Sequence, residues 1–197
     1  MWNQRYNRPE FVYGTQPNDF LVSVLESIPH GKLLSLGEGE GRNAVYLASQ
    51  GFKVSAVDSS DAGLSKARRL ADEKGVHITT ITADLGDFEI AENSWDAIIS
   101  IFCHIPSSLR VPLHKAVVQG LKHGGVFVLE AFIPRQLEMK TGGPTSLNTL
   151  MTLASLRQEL AGLRFLHALE IDRNLVEGIF HTGQAAVVQI LAVKDAE

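Results

Sequence analysis

The chain has 197 residues and a mass of 21.5 kDa, is 45% hydrophobic and 20% charged, and sets 18 basic against 22 acidic side chains for a net charge of −4. That is enough chain for one fully cored globular domain, and the weak acidity argues against a polyanionic partner, so no nucleic acid is expected. A single cysteine, Cys103, excludes an internal disulfide and a thiolate metal cluster, and no apolar run approaches the ~20 residues of a membrane span.

Residues 1–16 gather Trp2, Arg5, Tyr6, Arg8, Phe11 and Tyr13. Pro9 and Gly14 interrupt the segment, which therefore predicts an arm packed on the core or a lid, with rings able to enclose a cationic ligand and Arg5 able to pair with a carboxylate. Its polar, aromatic start lacks the pattern of a secretory signal, and the expected location is cytoplasmic. Pro17-Asn18-Asp19 signals a helix start, followed at helical spacing by Phe20, Leu21, Val24, Leu25 and Ile28 and closed by Pro29-His30-Gly31.

The stretch 33–58, LLSLGEGEGRNAVYLASQGFKVSAVD, reads as strand, glycine-rich turn, helix, strand and acid. Gly37, Gly39 and Gly41 permit a tight turn and a close approach of backbone to ligand. Asp58, about 20 residues after the first glycine, is placed to accept hydrogen bonds from the two hydroxyls of a ribose, which predicts an adenosine-type ligand. The third glycine of a dinucleotide fingerprint would fall where Arg42 stands, and no Gly-Lys-Ser/Thr follows, so neither fingerprint is met.

Gly51 stops the helix, and Ser59-Ser60-Asp61 caps the next one, which carries Leu64, Ala67 and Leu70 and ends at Gly75. Lys66, Arg68 and Arg69 are expected to form a solvated face of it. Residues 76–82 predict a third strand ending in Ala83-Asp84-Leu85, where Asp84 either reaches an adenine amino group or caps its own turn. The continuous apolar run 95–101 predicts a strand buried on both faces, with Phe102-Cys103-His104 at its tip. A helix over 106–121, with Pro112 near its start, a turn at Lys122-His123-Gly124-Gly125 and a strand over 126–132 come next. Residues 134–150 read as a loop that shapes a substrate pocket, and 152–161 as a helix. Two strands, 165–177 and 184–193, joined by a turn at 179–183 without a helix, predict an antiparallel hairpin. The fold class is a Rossmann-like doubly wound α/β sheet of seven strands, mostly parallel, with an antiparallel C-terminal hairpin strand.

The run 33–58 resembles motif I and the following strand of class I S-adenosylmethionine (SAM) methyltransferases, and GRNAVYLASQGFKVSAVD resembles in particular the tellurite-resistance and thiopurine methyltransferase branch. ADL at 83–85, WDAIIS at 95–100 and LKHGG at 121–125 are similar to the family's later motifs, in the same order. The resemblance implies one class I methyltransferase-like domain over 1–197. Its cofactor would be SAM, its product S-adenosylhomocysteine, and its methyl acceptor a small-molecule thiol, chalcogen, amine or hydroxyl. It implies further that Gly37, Glu38 and Gly39 face the methionine part, Asp58 the ribose, Ser59 the adenine edge, and Asp84 with Leu85 the adenine. Gly41, Ala83, Phe102 at the tip of the fourth strand, and Arg5 and Tyr13 of the arm complete the expected cofactor set. Where the family has an acid two residues before the first glycine this chain has Ser35, and Glu38 is expected to supply the missing help for the methionine amino group. For an acceptor with a proton to lose, His104 is the first candidate base and His181 the second. No His/Cys/Asp cluster points to a metal, no Asn-Pro-Pro-aromatic motif points to nucleic-acid amino groups, and no obligatory protein partner is inferred. The competing readings are a protein that holds SAM or its product without turnover and, more distantly, a nicotinamide oxidoreductase.

Overall fold

Short apolar runs closed by glycine or by capping residues force the chain to alternate between strand and helix. In the computed structural model, which describes residues 2–139 and 141–195, these runs become β1 (Lys32–Leu36), β2 (Lys53–Asp58), β3 (Thr79–Thr82), β4 (Trp95–Ile101) and β5 (Leu121–Phe132). Two long strands, β6 (Arg164–Glu177) and β7 (His181–Val193), close the chain. The helices are α1 (Trp2–Tyr6), α2 (Asp19–Ser23), α3 (Arg42–Ser49), α4 (Asp61–Lys74), α5 (Ser107–Gly120), α6 (Gln136–Met139) and α7 (Leu153–Glu159). One seven-stranded sheet runs in the order β3-β2-β1-β4-β5-β7-β6. Pairs among β1 to β5 are parallel, whereas β7 is antiparallel to both β5 and β6, as the terminal hairpin pattern requires.

Both faces of the sheet are covered. Leu33, Val54, Ala56, Ala97 and Ile99 pack against Leu47 of α3 and Leu64, Ala67 and Leu70 of α4. Leu34, Leu36, Val57, Ile98, Phe127 and Leu129 pack against Leu113 and Val117 of α5 and Leu156 of α7. Removing such side chains from water drives the assembly, at about 1.5–3 kcal/mol for each large aliphatic. Strand order reverses between β1 and β4, and the carboxyl ends of these strands form the crevice where open α/β sheets hold ligands.

Several boundaries differ from expectation for local reasons. The helix expected through residue 28 stops at Ser23, whose hydroxyl donates to the Phe20 carbonyl at 2.7 Å and competes with the helical ladder; a 3₁₀ turn, Leu25–Ser27, follows. β3 is four residues long rather than seven, a short edge paired only with β2. Lys122 to Gly125 lie inside β5, not in a turn: Gly124 (φ 78°) donates to the Lys194 carbonyl, Lys194 donates back to that of Gly125, and the register shifts opposite Trp95 and Ala97. Pro112 sits within α5 rather than at its start. The hairpin turns at Gly178 (φ 70°), earlier than expected, which places His181 at the first position of β7 instead of in the turn.

Candidate functional site

The glycine turn hangs from the tip of β1. Gly37 and Glu38 donate their N–H groups to the Val57 carbonyl at 2.9 and 3.1 Å, which pins the turn to the end of β2. Gly37 and Gly39 both have φ near 65°, and each is closely covered: a Cβ at Gly37 would stand 2.6 Å from Cys103 Sγ, and one at Gly39 would stand 2.6 Å from Tyr6 Oη. The bare backbone is therefore required by the loop after β4 on one side and by the arm on the other. Gly41 departs from expectation: its missing Cβ faces Ala67 of α4 at 2.5 Å, so it serves helix packing and not the crevice.

Glu38 also departs from expectation. Its fully enclosed carboxylate accepts from the N–H groups of Asn43 and Ala44 at 3.1 and 2.9 Å, while its other oxygen accepts a short hydrogen bond from Ser35 Oγ. Burial raises its pKa against these bonds. The carboxylate caps the start of α3 from inside and is spent before any ligand arrives. Ser35 and Glu38 thus form one hydrogen-bonded unit. Ser35→Asp alone sets two carboxylates face to face and is expected to cost about 2 kcal/mol or more. Glu38→Cys alone strands two N–H donors, at about 1–3 kcal/mol. In the double variant the carboxylate clash disappears while the stranded donors remain, so the losses should be less than additive, a coupling that urea unfolding in a double-mutant cycle would read.

Asp58 ends β2, 7% exposed. Its Oδ2 accepts from Gly39 N–H and its Oδ1 from Ser60 N–H, both at 2.8 Å, so the carboxylate rigidifies the turn and keeps one lone pair per oxygen. Burial raises its pKa, and the two N–H donors oppose the rise. Ser59 beside it is exposed. Ala83 donates its N–H to the Asp58 carbonyl at 3.1 Å, which ties the tips of β2 and β3 together. Asp84 is exposed and its Oδ1 takes the Gly86 N–H at 2.8 Å, the turn-capping alternative; Ala83 and Leu85 lean on the core below.

The arm lies across this turn. Glu40, nearly buried between the second and third glycines, accepts from the N–H groups of Val12 and Tyr13 at 2.7 and 3.2 Å and pairs with Lys66 at 2.6 Å. Lys66 also donates to the Glu10 carbonyl at 2.7 Å. The expected solvated face therefore loses Lys66, which is buried and clamps the arm. Asn3 accepts from Ser60 Oγ at 2.6 Å, and Tyr6 fills the space over Gly39 and Gly63. Burial first, then the Asp58 charge, hold the Tyr6 phenol well above its ordinary pKa. Arg5 is exposed, donates to Tyr13 Oη at 2.9 Å and lies over the rings of Trp2 and Phe180.

Past β4 the chain turns through Phe102, a non-glycine residue at φ 52°, the kind of backbone strain that collects at functional sites. The turn sets Phe102 tilted against Phe132 at 4.7 Å and edge-on to His181 at 4.9 Å; the His181 ring also lies 4.5 Å from that of Tyr13. His104 is placed differently from a free base: its Nε2 accepts the Phe132 N–H at 3.1 Å, and desolvation holds its pKa down at about 3. A nitrogen already accepting a backbone hydrogen bond cannot take a proton without breaking it. His181 is buried, and its Nδ1 has no hydrogen-bond partner. Burial lowers its pKa, so the ring is neutral at pH 7. Cys103, pushed up to about 12 chiefly by burial, is an inert thiol that packs the turn.

Tyr6, Asn18, Glu40 and Lys66 escaped the sequence reading as site residues. The hydrogen-bonded side-chain partners of Asn18, Glu40 and Lys66 lie 25 to 159 positions away, beyond any local pattern.

A sequence profile for a methyltransferase domain matches residues 33–125. The chain is 25% identical over 140 residues to the 2-heptyl-1-hydroxyquinolin-4(1H)-one methyltransferase of Mycobacteroides abscessus, covering 70% of this chain and 62% of that protein. It is 30% identical over 80 residues to the probable SAM-dependent methyltransferase TehB of Haemophilus influenzae, covering 41% of this chain and 28% of that protein. The chain thus spans less than two thirds of these relatives. The crystal structure of TehB from Haemophilus influenzae superposes with a TM-score of 0.77 at 20% identity, over 98% of this chain and 66% of that one, which establishes the shared fold.

Proposed function

We infer, from the membership of residues 33–125 in the methyltransferase-domain family and from the class I SAM-dependent motif order close to the TehB-like branch, that this chain is an enzyme moving the sulfonium methyl group of SAM to a small-molecule acceptor. The observation that carries the reading is the bare turn at Gly37 and Gly39 held under the carboxylate of Asp58. These residues fit the cofactor. The two glycines at positive φ let Cys103 and Tyr6 close against the turn, and Asp58 keeps two lone pairs after its backbone bonds, enough for the two hydroxyls of a ribose. Ser59, exposed at the tip of β2, would meet the adenine.

When bound, SAM supplies a methyl group already activated on sulfonium, whose thioether leaving group needs no proton. The chain's own work is to align the acceptor and to exclude water, effects worth roughly 7–11 kcal/mol in favourable intramolecular cases. Tyr6, Tyr13 and the clamp of Glu40 and Lys66 would close the arm over the turn. An acceptor thiol, selenol, amine or hydroxyl that carries a proton gains about 10²–10⁴-fold from a base. His181 is the histidine suited to that role, being neutral, walled by Phe102, Phe132 and Tyr13, and without a hydrogen bond at Nε2 among the described residues. The relative named for a hydroxyquinolone makes acidic hydroxyls on aromatic rings the first acceptors to test.

Calorimetric titration of the full chain with SAM and with S-adenosylhomocysteine should show one saturable site; no heat at millimolar ligand would end this reading. Label transfer from SAM to thiols, selenols and phenols separates an enzyme from a protein that only holds the cofactor. Asn3→Ala unties the exposed α1 from the start of α4 and should weaken S-adenosylhomocysteine about tenfold, roughly 1.4 kcal/mol, with little change in Tm. An unchanged affinity would remove the arm from the site.

A further inference from the structure

Beyond the base itself lies a group of buried charges that the reading above does not use. Glu177, near the end of β6, is 6% exposed and sits 3.6 Å from His181 Nδ1 through its Oε2. The same oxygen accepts from Arg42 Nη2 at 2.8 Å, and Oε1 accepts from Asn18 Nδ2 at 2.9 Å. Arg42 is the first residue of α3, directly after the glycine turn. Asn18 is wholly buried and also donates to Glu130, which Arg173 grips through two bonds of 2.9 Å. Every charge in the group has a counter-charge, and one polar atom in it is left over: His181 Nδ1.

We propose that Glu177 is the positioning residue of His181, fixing the tautomer with the proton on Nδ1 so that Nε2 offers its lone pair to the acceptor, and that Arg42 couples this pair to the cofactor turn. The proposal rests on the reading of the site as one for methyl transfer to a proton-bearing acceptor. Its chemistry is that of a carboxylate orienting an imidazole, in which the third group sets the tautomer and stabilises the imidazolium that forms. At 3.6 Å the contact is longer than a hydrogen bond, as such contacts often are before substrate binds. Two features make Glu177 suitable. Burial pushes its carboxyl up, but His181, Arg42 and Asn18 outweigh that and hold it at about 2, so the carboxylate is charged at any working pH. It is also immobile, bonded on both oxygens to separate elements. The charged and titratable groups that act on His181 are Glu177 from β6, Arg42 from α3, Arg5 from α1 and His104 from the loop after β4, with the Tyr13 ring against its face.

The protein labelled with ¹⁵N-histidine decides the matter by long-range ¹H–¹⁵N correlation, with the His181 signals assigned by their loss in His181→Gln. Wild type should show a neutral His181 protonated on Nδ1 at pH 7. In Glu177→Gln its pKa should drop by about one unit, roughly tenfold in protonation, because the carboxylate that favours the imidazolium is gone. Glu177→Asp should restore most of that drop. A His181 protonated on Nε2 in the wild type, or a titration unmoved by Glu177→Gln, overturns the proposal. Should Glu177→Gln fail to fold with Arg42 left unpaired, the wild-type tautomer alone decides. Parallel calorimetry with S-adenosylhomocysteine keeps the two readings apart: loss of cofactor binding in wild type would sink the methyltransferase assignment, while the tautomer is read on the protein without ligand.

Discussion

Gly41→Ala should be the most destabilising single substitution in the glycine turn, costing about 2–5 kcal/mol. Two effects add. At φ 93° an alanine Cβ crowds its own carbonyl, at about 1–2 kcal/mol, and the same Cβ would lie 2.5 Å from Ala67 Cβ and 2.6 Å from Ala67 Cα. Neither atom belongs to a flexible side chain, so α3 and α4 must separate, and overpacking of this kind costs about 1–3 kcal/mol. For a chain of this size Tm should fall by roughly 5–15 °C. Gly51→Ala isolates the first effect, because Gly51 has φ 90° but nothing within 4 Å of its missing Cβ. Calorimetric melts of the two variants should therefore differ by several degrees. Equal melting temperatures would mean that the helix contact at Gly41 contributes nothing. Because the Gly41 Cβ points at a helix, S-adenosylhomocysteine binding measured well below Tm should survive in this variant.

That separation explains what the residues alone could reveal. Strand, turn, helix and acid over 33–58 were legible because each is a local signal: glycine at a bend, apolar period, an acid at a strand end. The hairpin was legible because no helical period intervenes between β6 and β7. Which way a missing Cβ points was not, since it depends on whether Cys103, Tyr6 or Ala67 arrives opposite each glycine. The role of His104 was hidden for the same reason. Its predicted place at the tip of β4 is right, yet the Phe132 N–H that occupies its Nε2 comes from the neighbouring strand, 28 residues on. Lys66 looked like one of three surface cations on α4, and only the return of the arm, with Glu40 beneath it, buries that one and leaves Arg68 and Arg69 exposed. Glu177 stands four positions before His181, but the partners that bury and fix it, Arg42 and Asn18, lie 135 and 159 positions away.

Asp58→Asn should cost the site roughly 10–100-fold in affinity for S-adenosylhomocysteine, the largest loss of binding expected from any near-isosteric change. Both carboxylate oxygens already accept a backbone N–H, from Gly39 and from Ser60. An asparagine amide has one acceptor oxygen, so its NH₂ must face one of those donors, and a buried N–H without an acceptor costs about 1–3 kcal/mol. The ribose then loses a charged acceptor as well, and hydrogen bonds to charged groups are worth about 1.5–3 kcal/mol each. The first deficit is present with and without ligand and lowers Tm; the second weakens binding, by roughly 10–100-fold. Acidity supplies an independent check. Burial, opposed by the N–H groups of Ser60 and Gly39, holds the Asp58 carboxyl above the ordinary carboxylate range. The proton that abolishes its charge is therefore taken up at a higher pH than usual, and wild-type affinity should decline on acidification before ordinary carboxylates titrate. In Asp58→Asn that part of the decline should vanish. Calorimetric titrations at several pH values measure both, and a variant that binds within about threefold of wild type at pH 7.5 would show that the ribose is held elsewhere.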